Sequence, residues 1–365
     1  MTIRLPGLLA CLWLAPLAAG AGPRPVTLGV IASPGDPESA SLLHGAQLAV
    51  AEASTADAPV LLEVRSGSGQ WGSVGNEAVT LVCERQADAI ISPADGAATH
   101  LILQVSGRTR APVASVCPDS SVTEAGVTWA VCVVPRTDLA AAALFAAARR
   151  PQAPPRHWWA IVPAGHPGRA VRRDLETAAR ATATPLDRMI DSAELKTDFA
   201  TVVQGIVAAA PDGLLVWLPP AQAGALVAAV RTAGYGGHLA GSATLDSPEF
   251  FAAAGAAAAG VSIAEFQADA ADRQRTENFA RQYRVAHGVE PDFSAAAAFE
   301  AARVLIATLR RAGPGAGYRE FPLAVSSGGM GGDLHFDRFG NRTDAMEVRI
   351  CERGRFVALP IARNR

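Results

Sequence analysis

The segment that begins at Arg65, RSGSGQWGSVGNEAVTLV, has the glycines and small residues of a phosphate-binding loop. A loop of the Walker type needs the pattern G-x-x-x-x-G-K-[ST], because its lysine reaches the phosphates, and no lysine follows these glycines. The dinucleotide-binding pattern G-x-G-x-x-G does occur over residues 67–72, but it follows the second predicted strand instead of the first. We therefore predict that the segment only joins a strand to a helix near Asn76, and that the chain has no nucleotide or other cofactor.

The sequence carries no recognisable catalytic or metal-binding motif. It contains neither G-x-S-x-G nor H-E-x-x-H, and its seven histidines are scattered. No Cys-x-x-Cys occurs, and no Cys/His cluster has the spacing of a zinc site. The strongest acid–base pair that can be assembled is His166 with Asp119, and it has no obvious nucleophile. We predict that the protein is not an enzyme.

Length and charge limit the remaining function classes. The chain has 365 residues, 50% of them hydrophobic, which is enough for one large or two medium domains. A formal net charge of −2 without a basic stripe argues against nucleic acid as a partner. No segment after the N-terminus has about 20 consecutive strongly apolar residues, so we expect no transmembrane helix.

The first 21 residues have the pattern of a secretory signal. Arg4 supplies a positive charge, LLACLWLAPLA supplies a short apolar core, and Ala19–Ala21 fits a small-x-small cleavage site. Lipidation at Cys11 is the weaker alternative, because it leaves almost no apolar region before the cysteine. We expect cleavage after Ala21 and export to a bacterial periplasm.

Export bears on the four cysteines that remain after cleavage, because an oxidising compartment permits disulfides. Cys117 and Cys132 lie close in sequence, and a bond between them would close a short loop worth ~3 kcal/mol in the chain-entropy model. We predict this disulfide, with two free buried thiols as the alternative. The state of Cys83 and Cys351 stays open.

Short apolar runs alternate with helical patterns along most of the chain. The runs VTLGVI, VLLEV, ADAIISP and APVASV are separated by segments of helical periodicity, and the alternation restarts at HWWAIVPA after a break near residues 135–156. Such alternation is typical of parallel sheets covered by helices on both faces. A long helix is predicted over 294–313, and the alternating segments DLHFD and MEVRICERGRFVAL predict a β-type ending.

Four segments of the chain, in the order in which they occur, resemble segments of the type I periplasmic binding proteins. The resemblance is to the branch of the Leu/Ile/Val-binding proteins of ABC importers. The four segments are VTLGVIASPGDPESASLLHGAQLAVAE, ADAIISPADGAATHLI, APVASVCPDSSVTEAG and GGMGGDLHFDRFGNR. The resemblance covers essentially the whole mature chain. It implies two Rossmann-like α/β lobes joined by a three-strand hinge. Lobe one would comprise residues 23–137 plus 266–325, and lobe two residues 138–265 plus 326–361.

The resemblance also implies a ligand site between the lobes. In lobe one it falls on the loops after three strands, with the candidate residues Ser33, Asp36, Asp95, Gly96, Ala97, Asp119 and Ser120. Gly96 and Ala97 stand where the family usually has serines, and Asp119 where a threonine is usual. Asp119 is either a helix or turn cap or a ligand contact, and the same two interpretations hold for Asp95.

In lobe two the candidate residues are His166, Trp217, Ser242 and Thr244. His166 follows a strand where the family usually has Tyr-Gly, and is either a ligand contact or a solvated surface residue. Trp217 is either an apolar wall or ordinary core. The family's acidic residue for an α-ammonium group falls near Ala243, where no acid stands, and a buried ammonium needs a paired acceptor. We therefore do not expect a free α-amino acid as ligand.

The implied function is a monomeric solute receptor that delivers a small molecule to an ABC permease in the inner membrane. The alternative is a sensory or accessory protein that uses the same cleft and reports its occupancy to a sensor kinase or a redox system. The sequence does not separate these two functions.

Overall fold

The computed structural model describes residues 24–32, 37–67, 72–149, 157–267, 270–312 and 334–359, and it contains two sheets. The first sheet has the order β2-β1-β3-β4-β5 and is parallel throughout. Its strands are β1 (Val26–Ala32), β2 (Val60–Ser66), β3 (Ala89–Ser92), β4 (Val113–Ser115) and β5 (Ala130–Cys132). β1 and β3 are almost entirely buried. This explains why their sequences are continuous apolar runs and do not alternate between apolar and polar residues.

Helices cover both faces of this first sheet. Leu28 and Val30 pack with one apolar cluster that includes residues of α1, α11 and α12, whereas Ile31 and Ile90 pack with another that includes residues of α2 and α3. These helices are α1 (Pro37–Ala53), α2 (Ser73–Val79), α3 (Gly96–Thr109), α4 (Ser121–Glu124), α11 (Ala270–His287) and α12 (Phe293–Ala312). A single π-helical turn, Thr80–Glu84, extends α2. We call this unit lobe one.

The second sheet has seven strands in the order β12-β11-β10-β9-β8-β6-β7. They are β6 (Trp158–Val162), β7 (Leu186–Asp191), β8 (Gly213–Val216), β9 (His238–Gly241), β10 (Val261–Phe266), β11 (Met346–Glu352) and β12 (Arg355–Ala358). The first five are parallel, and β11 and β12 add an antiparallel edge. The helices of this unit, lobe two, are α5 (Thr137–Ala148), α6 (Gly165–Ala181), α7 (Ser192–Thr197), α8 (Phe199–Ala209), α9 (Pro220–Thr232) and α10 (Pro248–Ala254).

The predicted fold class is confirmed: two α/β lobes with parallel sheets. One local prediction is wrong. DLHFD does not form a strand in the described part of the chain, where Phe336 makes only an isolated antiparallel bridge to Arg342. None of the helices in the described ranges is long and apolar enough to cross a membrane. The predicted signal segment lies outside the described residues.

The predicted disulfide between Cys117 and Cys132 is also wrong, because both are free buried thiols. Their side chains pack in different apolar clusters, Cys117 with residues of α2 and α3 and Cys132 with residues of α1 and α12. The Cys132 thiol instead donates to the main-chain carbonyl of Cys117 at 3.2 Å. Burial raises the pKa of Cys132 to about 12, so the thiol stays protonated and unreactive at neutral pH. Cys83 is free and exposed, and Cys351 is free and buried.

Among the described elements, three crossings lead from one lobe to the other, and one buried arginine contacts all three. Arg342 lies on the third crossing, between α12 and β11, and its guanidinium donates to the carbonyl of Val133 on the first. It stacks 4.1 Å above the ring of Phe266, where β10 leads into the second crossing. It also pairs with Glu300 of α12 at 2.7 Å and with Asp344. With only 6% of the Arg342 side chain exposed, this is a desolvated charge held in a fixed geometry.

A close main-chain approach holds the third crossing against lobe one. Gly340 has a φ of +83°, and a Cβ there would lie 2.0 Å from the carbonyl oxygen of Ala130. The next residue, Asn341, makes a parallel bridge to Cys132, and its side-chain oxygen accepts hydrogen bonds from Thr123 and Arg136. Only glycine fits at position 340, which accounts for the FGN phrase at this point of the sequence.

Replacing Arg342 should destabilise the protein strongly. Arg342→Ala leaves Glu300 buried without its guanidinium partner, and the loss of one member of a buried pair typically costs ~3–5 kcal/mol. Arg338→Ala is the matched control on the same segment, because Arg338 is exposed and should change stability by less than about 0.5 kcal/mol. Urea unfolding followed by circular dichroism measures both. Equal midpoints for the two variants would contradict the assigned role of Arg342.

Candidate functional site

Ligands of open α/β sheets bind at the carboxyl ends of the parallel strands. Here residues that follow β1 of lobe one and β8 and β9 of lobe two line a shared cleft. A cavity of about 190 Å³ lies in this cleft, and we call it the interlobe cavity. Lobe one lines it with Glu38, Asp292, Phe293 and Ser294, and lobe two with Pro219, Pro220, Ala221, Thr244, Ser247 and Glu249. Because residues of both lobes line the cavity, its shape depends on how far the lobes are closed.

Helix N-termini surround the interlobe cavity. Glu38 lies in the first turn of α1 and Glu249 in the first turn of α10. Pro220 opens α9, a position where the missing N–H of proline leaves nothing unsatisfied. Asp292 precedes α12 and accepts a hydrogen bond from the Ala295 N–H at 2.8 Å, as an N-cap does. The acidic residues of the cavity therefore sit where helix dipoles stabilise negative charge.

Carboxylates dominate the electrostatics of this part of the cleft. Burial raises the pKa of Asp292 above its ordinary value, against the hydrogen bonds from Ala295 and Ser41, and the charge of Glu249 raises it further. Burial and the charge of Glu265 raise the pKa of Asp246 to about 7, with Arg349 opposing. Asp246 stands between Thr244 and Ser247 in sequence, both of which line the cavity.

One arginine lies close to these carboxylates. The Arg349 guanidinium on β11 pairs with Glu265 on β10 and lies 4.0 Å from the Asp246 carboxylate. Its charge is therefore shared between two acids and does not balance Asp292 and Glu249 as well. The side chain of Asp246 keeps 38% of its surface exposed within the cleft, so solvent reaches it even though protein surrounds it.

A second cavity, of about 350 Å³, lies in lobe one at the carboxyl ends of β1, β2 and β3. Its lining includes Ile31, Leu42, Gly67, Asp95 and Glu38. Glu38 also lines the interlobe cavity, so the two cavities adjoin at this side chain.

Two predicted lobe-one residues, Asp95 and Asp119, have structural partners. Asp95 is the N-cap of α3 and accepts from the Ala98 N–H at 2.6 Å. Asp119 accepts from the main chain and hydroxyl of Ser121 and from Arg173 of lobe two at 2.8 Å. Burial alone would raise the pKa of Asp119, but these hydrogen bonds and the Arg173 charge outweigh it and hold the pKa below its ordinary value. Asp119 therefore joins the two lobes.

Glycine at position 96 makes room for this arrangement, since a Cβ on Gly96 would lie 2.8 Å from Oδ2 of Asp119. The next predicted residue, Ser120, extends the same interlobe contact. Its N–H and hydroxyl both donate to the carboxylate of Asp174, which is 1% exposed and also accepts from Arg173. The loop after β4 is thus bound to α6 by a buried polar network.

The other predicted residues divide between cleft, core and surface. Thr244 lines the interlobe cavity and shares a 2.6 Å hydrogen bond with Ser242. Trp217 is 6% exposed and packs among apolar residues of lobe two, so its assignment to the ligand site is corrected to core. His166 is exposed in the first turn of α6, and Ala97 is exposed in the first turn of α3. Ser33 and Asp36 lie outside the described residues.

Sequence reasoning missed the acidic lining of the interlobe cavity. Glu38, Glu249 and Asp292 are far apart in sequence. Packing of α12 near α1 brings Asp292 and Glu38 together in lobe one, and the opposition of lobe two adds Glu249. A local signal did exist, because DPES, DSPE and EPDFS each place an acid at the start of an apolar helical pattern. That signal predicts helix N-termini, not a shared cavity.

The model of a family described as periplasmic binding protein matches residues 25–320. No curated protein matches the chain significantly.

Solved structures with a similar fold include the leucine-binding protein LivK from Thermotoga maritima, with 18% identity, a TM-score of 0.75, and coverage of 92% of this chain and 97% of that chain. LivJ from Streptococcus pneumoniae in complex with isoleucine has 15% identity, a TM-score of 0.77 and coverage of 92% and 99%. A solute-binding protein of an ABC transporter from R. palustris in complex with benzoate has 15% identity, a TM-score of 0.77 and coverage of 92% and 96%.

Asp246 should make stability fall as the pH rises. Its pKa is about 7 in the folded protein and near 3.8 ordinarily, so folding favours the neutral acid, and that contribution is lost between about pH 4 and pH 7. Asp246→Asn stays neutral throughout, and it should melt a few degrees above the parent at pH 8 but at the same temperature near pH 4. The exposed Asp57→Asn is the control and should show no such difference. An unchanged melting temperature for Asp246→Asn at pH 8 would contradict the raised pKa.

Asp119 should act in the opposite direction. Its pKa is lowered by folding, so its contribution is present above pH 4 and is lost as the pH falls through the folded pKa. Asp119→Asn should cost about 1 kcal/mol at pH 7, since Arg173 is partly solvated, and the cost should shrink at pH 3. Chemical denaturation at both pH values measures it. A variant of unchanged stability at pH 7 would contradict the interlobe pairing.

Proposed function

The chain belongs to the periplasmic binding protein family, and we propose that it is an exported receptor that captures a small molecule between its lobes and delivers it to an ABC importer of the inner membrane. The single observation that carries this proposal is the interlobe cavity, which residues of both lobes line. The receptor acts as a monomer, and no cofactor takes part.

Binding and closure are coupled in this proposal. A ligand that contacts both lobes binds the closed arrangement better than the open one, so it shifts the population towards the closed arrangement. The three crossings around Arg342 form the axis of this closure, because within the described ranges they are the segments that connect the lobes. The N-terminal segment supports export, with removal of the first 21 residues after Ala21.

The ligand is a small molecule other than a standard branched-chain amino acid. The relatives of similar fold are named for leucine or hold isoleucine or benzoate, all of which carry a carboxylate. Here Asp119 is already paired with Arg173, and Ala243 stands where the resemblance places the acid for an α-ammonium group. Both anchors of a free amino acid are therefore missing at the positions where the family has them.

Ligand binding should be detectable as thermal stabilisation of the mature protein. A specific ligand at a hundredfold excess over its Kd stabilises by ~2.7 kcal/mol, so a screen of amino acids, amides, alcohols, amines and aromatic acids should give at least one dose-dependent rise in melting temperature. Thr244→Trp fills the interlobe cavity and should abolish that rise. Ala252→Trp, on an exposed part of α10, is the control and should retain it.

Two outcomes decide between transport and sensing once a ligand is found. If the protein serves an importer, cells that lack it lose uptake of the labelled ligand. If uptake persists and only a response to the ligand is lost, the accessory function is correct and delivery to a permease is wrong. A hit that Thr244→Trp leaves unchanged would contradict the interlobe cavity as the binding site.

A further inference from the structure

We propose that the stacked side chains of His44 and His287, the histidine pair, form a proton-sensitive contact that holds the end of α11 on α1 at neutral pH and opens in acid. The turn after α11 leads to Asp292, Phe293 and Ser294, which line the interlobe cavity. Opening of the contact would therefore loosen one wall of that cavity. The inference rests on the proposed function only in taking the interlobe cavity as the ligand site.

α11 has few anchors on the rest of lobe one. In the described part of α11 the buried side chains are Phe279 and Tyr283, and His287 follows at the same spacing of four, which places all three on one face of the helix. The ring centroid of Phe279 lies 4.7 Å from that of Phe299 on α12. The ring centroid of Tyr283 lies 4.7 Å from that of His287, and burial raises the pKa of Tyr283 to about 12. His287 is therefore the member of this face that changes charge near neutral pH.

α1 is the fixed partner in this contact. A Cβ on Gly45, the residue after His44, would lie 2.0 Å from the carbonyl oxygen of Ala295, so the main chains of α1 and α12 are in close contact. The end of α11 is different, because most side chains next to His287 are exposed, among them Val285 at 84%. A helix end with so little buried surface opens locally at a low free-energy cost.

The geometry of the histidine pair fits two neutral imidazoles. Their rings stack at a centroid distance of 4.2 Å and an interplanar angle of 13°. Nε2 of His287 is buried and has no hydrogen-bond partner among the described residues, so the ring bonds to the main chain of His44 through Nδ1. A proton added at Nε2 would create a buried, charged donor without an acceptor, which costs more than the neutral nitrogen does. The ring can satisfy this donor by turning out to water, and it then leaves the stack.

Within the described ranges, no carboxylate compensates for a proton on His287. The Tyr283 hydroxyl lies 3.5 Å from Nδ1 of His44, and Ser41 joins Tyr283 to Asp292 by hydrogen bonds. The charged side chains on the surrounding elements have partners of their own, in the pairs Glu38–Ser294, Arg284–Glu290, Arg303–Glu52 and Glu300–Arg342. Burial lowers the pKa of His287 below its ordinary value, and the charge of His44 lowers it further, against the main-chain hydrogen bond.

The contact should therefore weaken as the pH falls. Because folding lowers the pKa of His287, the contribution of its neutral ring is complete above pH 6.5 and is lost as the pH falls through the folded pKa. Asp246 changes the stability of the whole protein in the opposite direction over an overlapping range. The measurement must for this reason detect the end of α11 itself and not the melting temperature alone.

Hydrogen–deuterium exchange of the mature protein, corrected for the intrinsic pH dependence of exchange, measures this contact without any ligand. Peptides that cover residues 280–294 should exchange faster at pH 5 than at pH 7.5, by about tenfold for each unit that separates the folded pKa from the ordinary one. The rise should begin below pH 6.5, and peptides from the middle of α12 should not show it. His287→Phe keeps a ring but cannot be protonated, so it should remove the pH dependence. His166→Phe, at an exposed position on α6, is the matched control and should retain it.

The outcomes distinguish this inference from the proposed function. Equal exchange of residues 280–294 at the two pH values in the unmodified protein overturns the inference, whether or not the variants fold. A rise that begins only below about pH 4, where ordinary carboxylates titrate, also overturns it, and so does a pH dependence that His287→Phe retains. Each of these results leaves the receptor function intact, because the exchange needs no ligand. Failure of the ligand screen contradicts the receptor function and leaves the exchange result as it stands.

Discussion

The buried guanidinium of Arg342 is the constraint on which the two-lobe arrangement depends. A desolvated charge requires partners in fixed positions, and those partners here come from the first crossing, from the end of β10 and from α12. Three segments distant in sequence must therefore meet at one point before the lobes can face each other. Any opening and closing of the cleft has to occur around this point, because moving Val133 or Glu300 away would expose or isolate the charge.

The interlobe cavity follows from how parallel sheets are built. Each parallel strand leads into a helix, so strand ends of one lobe are edged by helix N-termini, and two facing lobes bring several of these together. Every such end needs acceptors for its free N–H groups, and Asp292, Ser247 and Asp95 supply them. Two of these capping residues, Asp292 and Ser247, are thus also residues that line the interlobe cavity.

The sequence predicts the fold far better than the site. The alternation of apolar runs and helical patterns is a local property, because each segment carries its own periodicity. The two parallel sheets could therefore be predicted from the residues alone. The partners of Asp119 could not, because Arg173 lies on another lobe and no pattern near Asp119 points to it. Trp217 shows the same limit, since a tryptophan at a strand end serves equally as cleft wall or core. The cysteines were misjudged because closeness in sequence says nothing about which apolar cluster each thiol packs in.

Fold similarity and ligand choice have separate physical origins in this family. The structures compared above keep TM-scores of 0.75–0.77 at 15–18% identity, because buried strands and helix faces need only apolar residues of suitable volume. The cleft has no such tolerance. A single carboxylate in a partly desolvated cavity changes the binding free energy of a charged ligand, and this change exceeds what the packing of several methylene groups contributes. A few acids at helix ends can therefore change the ligand class while the sheets stay the same.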